Sequence, residues 1–208
     1  MSRQAHHPVS QSAWRAAWIS LIGVLSVNAI IALLIAYQGE AARSALRPDR
    51  FDARWQIRSG AATPDRLVLN PTADAIGVAL RPIDPQSTGF TLQTRVTFDQ
   101  PTSAAGLIVQ ADDADHFVAF LISADGYFRL SDYRNGMWID RVPWTTWPHI
   151  RTDGSPNLLR TECRGETCTF FVNDERTWQA EAIPTTAQIG VVASGAAVVF
   201  DQFAQRVP

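Results

Sequence analysis

In the stretch GMWIDRVPWTTWPHI, residues 136–150, three tryptophans (Trp138, Trp144 and Trp147) stand within ten positions, beside Asp140, Arg141 and His149. Aromatic faces next to charged groups hold sugar rings and quaternary ammonium groups, and tryptophan is also the largest packing unit of a small β domain. Strand alternation over 137–142 puts Trp138, Asp140 and Val142 on one face and Met137, Ile139 and Arg141 on the other, so Trp138 is expected to be half-buried. Trp144 and Trp147 follow Pro143 and precede Pro148, which places them outside the ladder. With Tyr133 and His149 they are the candidate ligand-binding residues; the alternative is that both tryptophans pack the framework.

Other residue types offer less chemistry. Asp112, Asp113 and Asp115 could ligate calcium with loop carboxylates and carbonyls, or simply make an acidic hairpin turn. Asp125, Asp132 and Asp140 read as turn or solvent-face residues. His6 and His7 lie in the N-terminal tail, and His116 and His149 have no Cys or His partner at metal spacing. No Gly-rich phosphate loop, nucleophile elbow or haem motif is present. All 18 basic residues are arginine, the net charge is −2 and the pI is near 6.1, which gives no basic face for nucleic acid.

The elements that must position these residues begin with a hydrophobic segment. From Trp18 to Tyr37, WISLIGVLSVNAIIALLIAY carries no charge, and at about 1.5 Å per residue it spans close to the ~30 Å of bilayer hydrocarbon. A transmembrane signal anchor is expected over 14–37, with Trp14, Trp18 and Tyr37 at the interfaces. A cleaved signal peptide is the alternative, but the run exceeds the usual apolar region of about 7 to 15 residues and no A-x-A site follows. Residues 1–13 then form a short cytoplasmic tail and 38–50, QGEAARSALRPDR, a stalk. Asn28 with the small-xxx-small pair Ala32 and Ala36 suits a packed membrane-protein partner; an isolated anchor in lipid is equally open.

Orientation brings two signals into conflict. Arg3 and Arg15 precede the helix, whereas Arg43, Arg47, Arg50 and Arg54 follow it, which favours the C-terminal domain inside. The segment NLLRTECRGETCTFFVND, residues 157–174, argues the reverse. Gly165-Glu166 is a type II′ hairpin signal, and in that register Arg164 closes the turn with Thr167. Cys163 then faces Cys168 in a non-hydrogen-bonded pair about 4.5 Å apart, close enough for a disulfide. Such a bond persists outside the cytoplasm; two small buried hydrophobes are the alternative. The expected topology is N-terminus in, domain out.

Beyond residue 50 short apolar runs recur between turn signals with no sustained helical period. RLVLNP (66–71), IGVALRP (76–82), GFTLQTRVTF (89–98) and GLIVQADD (106–113) read as strands. HFVAFLIS (116–123), apolar on both faces, should be central, and with YFRLSDYR (127–134) and MWIDRV (137–142) it makes a meander. The disulfide hairpin, QIGVVAS (188–194) and AVVFDQFAQR (197–206) complete the domain. About ten to twelve strands predict two packed antiparallel sheets over 51–208, an all-β jelly-roll sandwich behind one N-terminal transmembrane helix.

The order GFTLQTRVTF, GLIVQADDADHFVAFLISADGYFRLSDYRNGMWI, NLLRTECRGETCTFFVND, IGVVASG and VVFDQFAQR resembles the concanavalin-A-like lectin/glucanase jelly roll. It is closest to laminin-G-like and 3-keto-disaccharide-hydrolase-type bacterial domains, some of which follow a single membrane helix in receptor-like kinases. The resemblance covers residues 85–206 and, more weakly, 51–84. It implies a bacterial cytoplasmic-membrane protein whose domain acts as a lectin, a glycosidase or an assembly module. Glucanases of this superfamily alternate acids as Glu-x-Asp-x-Glu on one strand, a pattern missing here, where only Glu162 and Glu166 are near each other. The expectation is a non-enzymatic accessory module docking on a membrane-protein assembly. An envelope-glycan binder is the alternative, and a glycosidase with a non-standard carboxylate pair the second alternative.

Overall fold

The computed structural model describes residues 46–72, 75–83, 89–183 and 188–206. The expected membrane helix over 14–37, with Asn28, Ala32 and Ala36, lies outside them, as do the expected tail and most of the stalk. Among the described residues no helix is long and apolar enough to cross a membrane.

The strands, in chain order, are β1 (Arg47–Pro48), β2 (Gln56–Arg58), β3 (Gly60–Thr63), β4 (Arg66–Leu69), β5 (Ile76–Pro82), β6 (Gly89–Phe98), β7 (Ala104–Asp113) and β8 (His116–Ser123). They continue with β9 (Tyr127–Arg134), β10 (Met137–Thr146), β11 (Asn157–Arg164), β12 (Thr167–Val172), β13 (Glu175–Ala180), β14 (Gln188–Ser194) and β15 (Val198–Arg206). One sheet runs β13-β12-β11-β6-β15-β4-β3, with β1 also on β15, and the other runs β10-β9-β8-β7-β14-β5-β2. All pairings are antiparallel, so the chain is the expected two-sheet sandwich of jelly-roll type.

Period-2 alternation explains how the sheets meet. On β6, Phe90, Leu92, Thr94 and Val96 are buried, and on β12 so are Cys168, Phe170 and Val172. They face Val118, Phe120 and Ile122 of β8, and Phe120 stacks on Phe170 between the sheets at 4.8 Å. Each large apolar side chain buried this way contributes about 1.5–3 kcal/mol. The other side of β8 carries Phe117, Ala119 and Leu121, which join Ile108, Val192 and Tyr133 in a second cluster on the outer face of the seven-stranded sheet. That explains why β8 is apolar throughout and sits inside its sheet. Gly106 lets β7 lie flat against β8, since a Cβ there would stand 1.9 Å from the Phe120 carbonyl oxygen.

The disulfide forms in the expected register. Cys163 pairs with Cys168 and Arg164 with Thr167, the two cysteine Cα atoms are 4.1 Å apart, and both residues are buried. Gly165 has φ +56° while Glu166 stays out of the positive region, which fits a II′ turn.

The domain begins earlier than residue 51. Arg47 and Pro48 pair with Gln205 and Ala204, and Asp49 ion-pairs with the buried Arg81. Behind them Phe51, Trp55 and Phe203 form an aromatic trio with Phe51–Trp55 and Trp55–Phe203 centroids both 4.9 Å apart.

Candidate functional site

The outer face of the seven-stranded sheet carries the most chemistry. On β9, Arg129, Ser131 and Tyr133 alternate toward that face, and β10 sets Asp140 opposite Ser131 and Trp138 opposite Tyr133. The pairing then slips twice, between Asp140 and Val142 and between Val142 and Thr145. Each slip is a bulge, which reverses the side-chain alternation beyond it.

Two expectations change as a result. Val142 does not share a face with Trp138 but stands opposite Leu130 and packs against the main core. Trp144 is not in a loop outside the ladder; β10 runs on to Thr146, and Trp144 lies within it beside Arg129. Pro143 is tolerated because β10 is the edge strand and bulged at that point.

Arg129 is clasped between two indoles, its guanidinium carbon 4.4 Å from the Trp138 ring centroid and 4.6 Å from that of Trp144. Each contact supplies about 0.5–2 kcal/mol, according to how dry the pair is. The Arg129 side chain is 11% exposed. Asp140 Oδ1 is 3.6 Å from its Nη1, beyond hydrogen-bond reach, and accepts instead from the Ser131 hydroxyl. Arg129 Nε is buried without a partner. Burial pulls the Arg129 pKa down and the Asp140 charge opposes that pull; an arginine stays cationic at neutral pH regardless.

Beside this clasp lies a recess of about 510 Å³, where β8 ends and β9 begins, a size that suits small ligands. Thr102, Ser103, Ser123, Asp125, Tyr127, Arg129, Trp144 and Ser194 line it. The turn at Gly126, with φ +97°, presents Asp125, which accepts a 2.5 Å hydrogen bond from the Ser123 hydroxyl. The Ser103 hydroxyl is buried and has no partner. The wall thus offers an indole face, a phenol ring, a guanidinium with one unpartnered N–H and several hydroxyls.

Of the four residues expected to bind ligand, only Trp144, 39% exposed, lines this recess. Tyr133 is on the same sheet face but buried, stacked on Phe117 at 4.9 Å and edge-on to Trp138 at 4.7 Å. Trp147 turns inward, packing against the main core with its ring 6.2 Å from Phe128. His149 is exposed beside Trp147 at 5.5 Å, and its carbonyl accepts from Asn173. The sequence reading missed Arg129, Ser103 and the role of Asp125. The signal for Arg129 was present, as an arginine alternating with Ser131 and Tyr133 in an otherwise apolar meander.

The acidic turn does not bring its three carboxylates together. Asp113 accepts from the Asp115 amide at 2.7 Å and from His116 Nδ1 at 3.0 Å, Asp115 pairs with Arg58 at 2.9 Å, and Asp112 accepts from Gln110 at 3.2 Å. The Asp115 amide and then His116 hold the Asp113 carboxyl below its ordinary value. The carboxylates are turned to separate partners, and among the described residues no three acids, histidines or cysteines are placed to hold a metal.

Asp132 is not a solvent-face residue either. It is buried, accepts from Arg141 Nε at 2.6 Å and Nη2 at 3.1 Å, and pairs with Arg134 at 3.3 Å. The Arg141 hydrogen bonds hold its pKa down against the opposing effect of burial.

No protein-family model matches this chain, and no curated protein matches it. Solved structures do. The carbohydrate-binding module CBM66 from Bacillus subtilis superposes with TM-score 0.59 at 16% identity, over 74% of this chain and 95% of that one. The Bacillus licheniformis β-glucanase superposes with TM-score 0.57 at 9% identity, over 79% and 98%. The Bacteroides ovatus protein described as xyloglucan PUL GH43B gives TM-score 0.56 at 18% identity over 77% of this chain and 38% of its own. At these identities the likeness is one of fold: the chain shares a two-sheet antiparallel jelly-roll sandwich with these proteins.

Proposed function

We propose that this protein is a glycan-binding module whose ligand occupies the recess between Trp144 and Asp125. The observation that carries this is an indole face and an arginine with an unpartnered Nε in one small recess lined with hydroxyls. A sugar ring stacks its C–H face on an indole while its hydroxyls need donors and acceptors at the edge. Here Trp144 supplies the platform, Arg129 and Ser103 donate, and Asp125 accepts. The likeness to a carbohydrate-binding module supports the reading. It ranks glycan recognition ahead of docking on a membrane assembly, because the recess is sized and furnished for a small polar ligand.

Binding without cleavage is part of the proposal. Among the described residues Asp125 is the one carboxylate in the recess wall, whereas glycoside hydrolysis uses a pair. The Cys163–Cys168 disulfide and the apolar segment at 18–37 support an extracytoplasmic, membrane-anchored placement.

Retention on an array of immobilised polysaccharides tests the reading. Wild-type protein is expected to bind at least one glycan and Trp144→Ala to lose it while its melting temperature falls by no more than about 4 °C. A wild type that binds none overturns the function, and full retention by Trp144→Ala overturns the site. Release of reducing sugar from a bound glycan would show an enzyme instead.

A further inference from the structure

We infer that the recess reads an acidic sugar, a uronic acid whose carboxylate is held by Arg129; the inference rests on the glycan-binding proposal above. Arg129 is buried to nearly nine-tenths of its side chain, yet its Nε has no acceptor and its nearest carboxylate stays 3.6 Å away. A buried N–H left without an acceptor is costly, and a partner that supplies one gains correspondingly.

The structure also explains why Asp140 does not take that role. Asp140 accepts from Ser131, and both indole rings sit within 4.6 Å of the guanidinium carbon, so a further acceptor has to reach the N–H groups from the recess. A planar carboxylate meets that edge with two parallel hydrogen bonds, which a single hydroxyl cannot do. The two indole contacts hold the guanidinium in place beforehand, so little freedom is lost when the ligand arrives. Asp125, exposed at the rim, limits the charge the recess tolerates, so the ligand carries isolated carboxylates rather than dense sulfate.

The test uses the full chain and oligomers of galacturonate, glucuronate and mannuronate, each beside its methyl ester and its neutral hexose counterpart, with affinities from titration calorimetry. At least one acid is expected to bind ten- to a hundredfold tighter than its own ester, and Arg129→Gln to abolish that preference. If Arg129→Gln does not fold, Arg129→Lys, which keeps the charge and loses the planar fork, is expected to narrow it. Equal binding of acids, esters and neutral oligomers overturns the acidic ligand and leaves glycan binding standing. A preference that survives in a folded Arg129 variant removes Arg129 from the carboxylate. Failure of every oligomer to bind overturns both readings.

Discussion

Arg129 rests its guanidinium over the face of Trp144 at 4.6 Å, and two slips in the β9–β10 pairing set the register that brings the residues side by side. Without the bulges beyond Asp140, the register set by Asp140 and Ser131 would place Val142 opposite Arg129 and Trp144 opposite Tyr127. The recess therefore depends on backbone irregularity as much as on residue type.

The two tryptophans of the β10 end should separate cleanly. Trp144→Ala removes an edge-strand ring and one cation–π contact, a stability loss of about 0.5–1 kcal/mol. Trp147→Ala removes core packing next to Phe128 and should cost about 3 kcal/mol. Urea denaturation of both variants beside wild type checks the difference.

Asp132 gives a pH prediction. Its folded-state pKa lies below the ordinary 3.8, chiefly through the Arg141 hydrogen bonds. A depressed carboxyl pKa stabilises the fold above the unfolded value and loses that contribution as pH falls through the folded one. Wild type should therefore lose stability as pH drops below 3.8, and Asp132→Asn, less stable at neutral pH, should show a shallower fall. Thermal melts across pH 7 to about 2 read both.

The disulfide closes a short loop. Its two cysteines are five positions apart, so replacing both with alanine should lower stability by about 2 kcal/mol without unfolding the sandwich. Chemical denaturation with and without reductant should show the same difference in the wild type and none in the double variant.

Calcium should not matter to the acidic turn. With Asp113 and Asp115 committed to His116 and Arg58, melting in the presence of calcium or of a chelator should give the same midpoint. A calcium-dependent rise would contradict the separate pairing of these carboxylates.

Much of the fold was legible because burial on one face imposes alternation. GFTLQTRVTF, HFVAFLIS and YFRLSDYR mark β6, β8 and β9 to the residue. The hairpin at Gly165 was readable for a second reason, since turn geometry fixes register and register places the cysteines opposite one another. What escaped were elements without that imprint. β1, β2 and β3 are short and largely exposed, and β13, ERTWQA, buries little beyond Thr177, so neither shows a hydrophobic face. The site was legible only in part. Trp144 was singled out by type, but its partnership with Arg129 requires two bulges that leave no mark in residue spacing.

Since Arg47 pairs with Gln205, the backbone enters and leaves the sandwich at one spot. That spot belongs to the eight-stranded sheet, and the Trp144 recess to the outward face of the other. The domain can thus be immobilised by either end, or spliced into a loop of a host protein through both, on the sheet opposite the Trp144 recess. For a biosensor or an affinity resin, the handle belongs at residue 46 or 206.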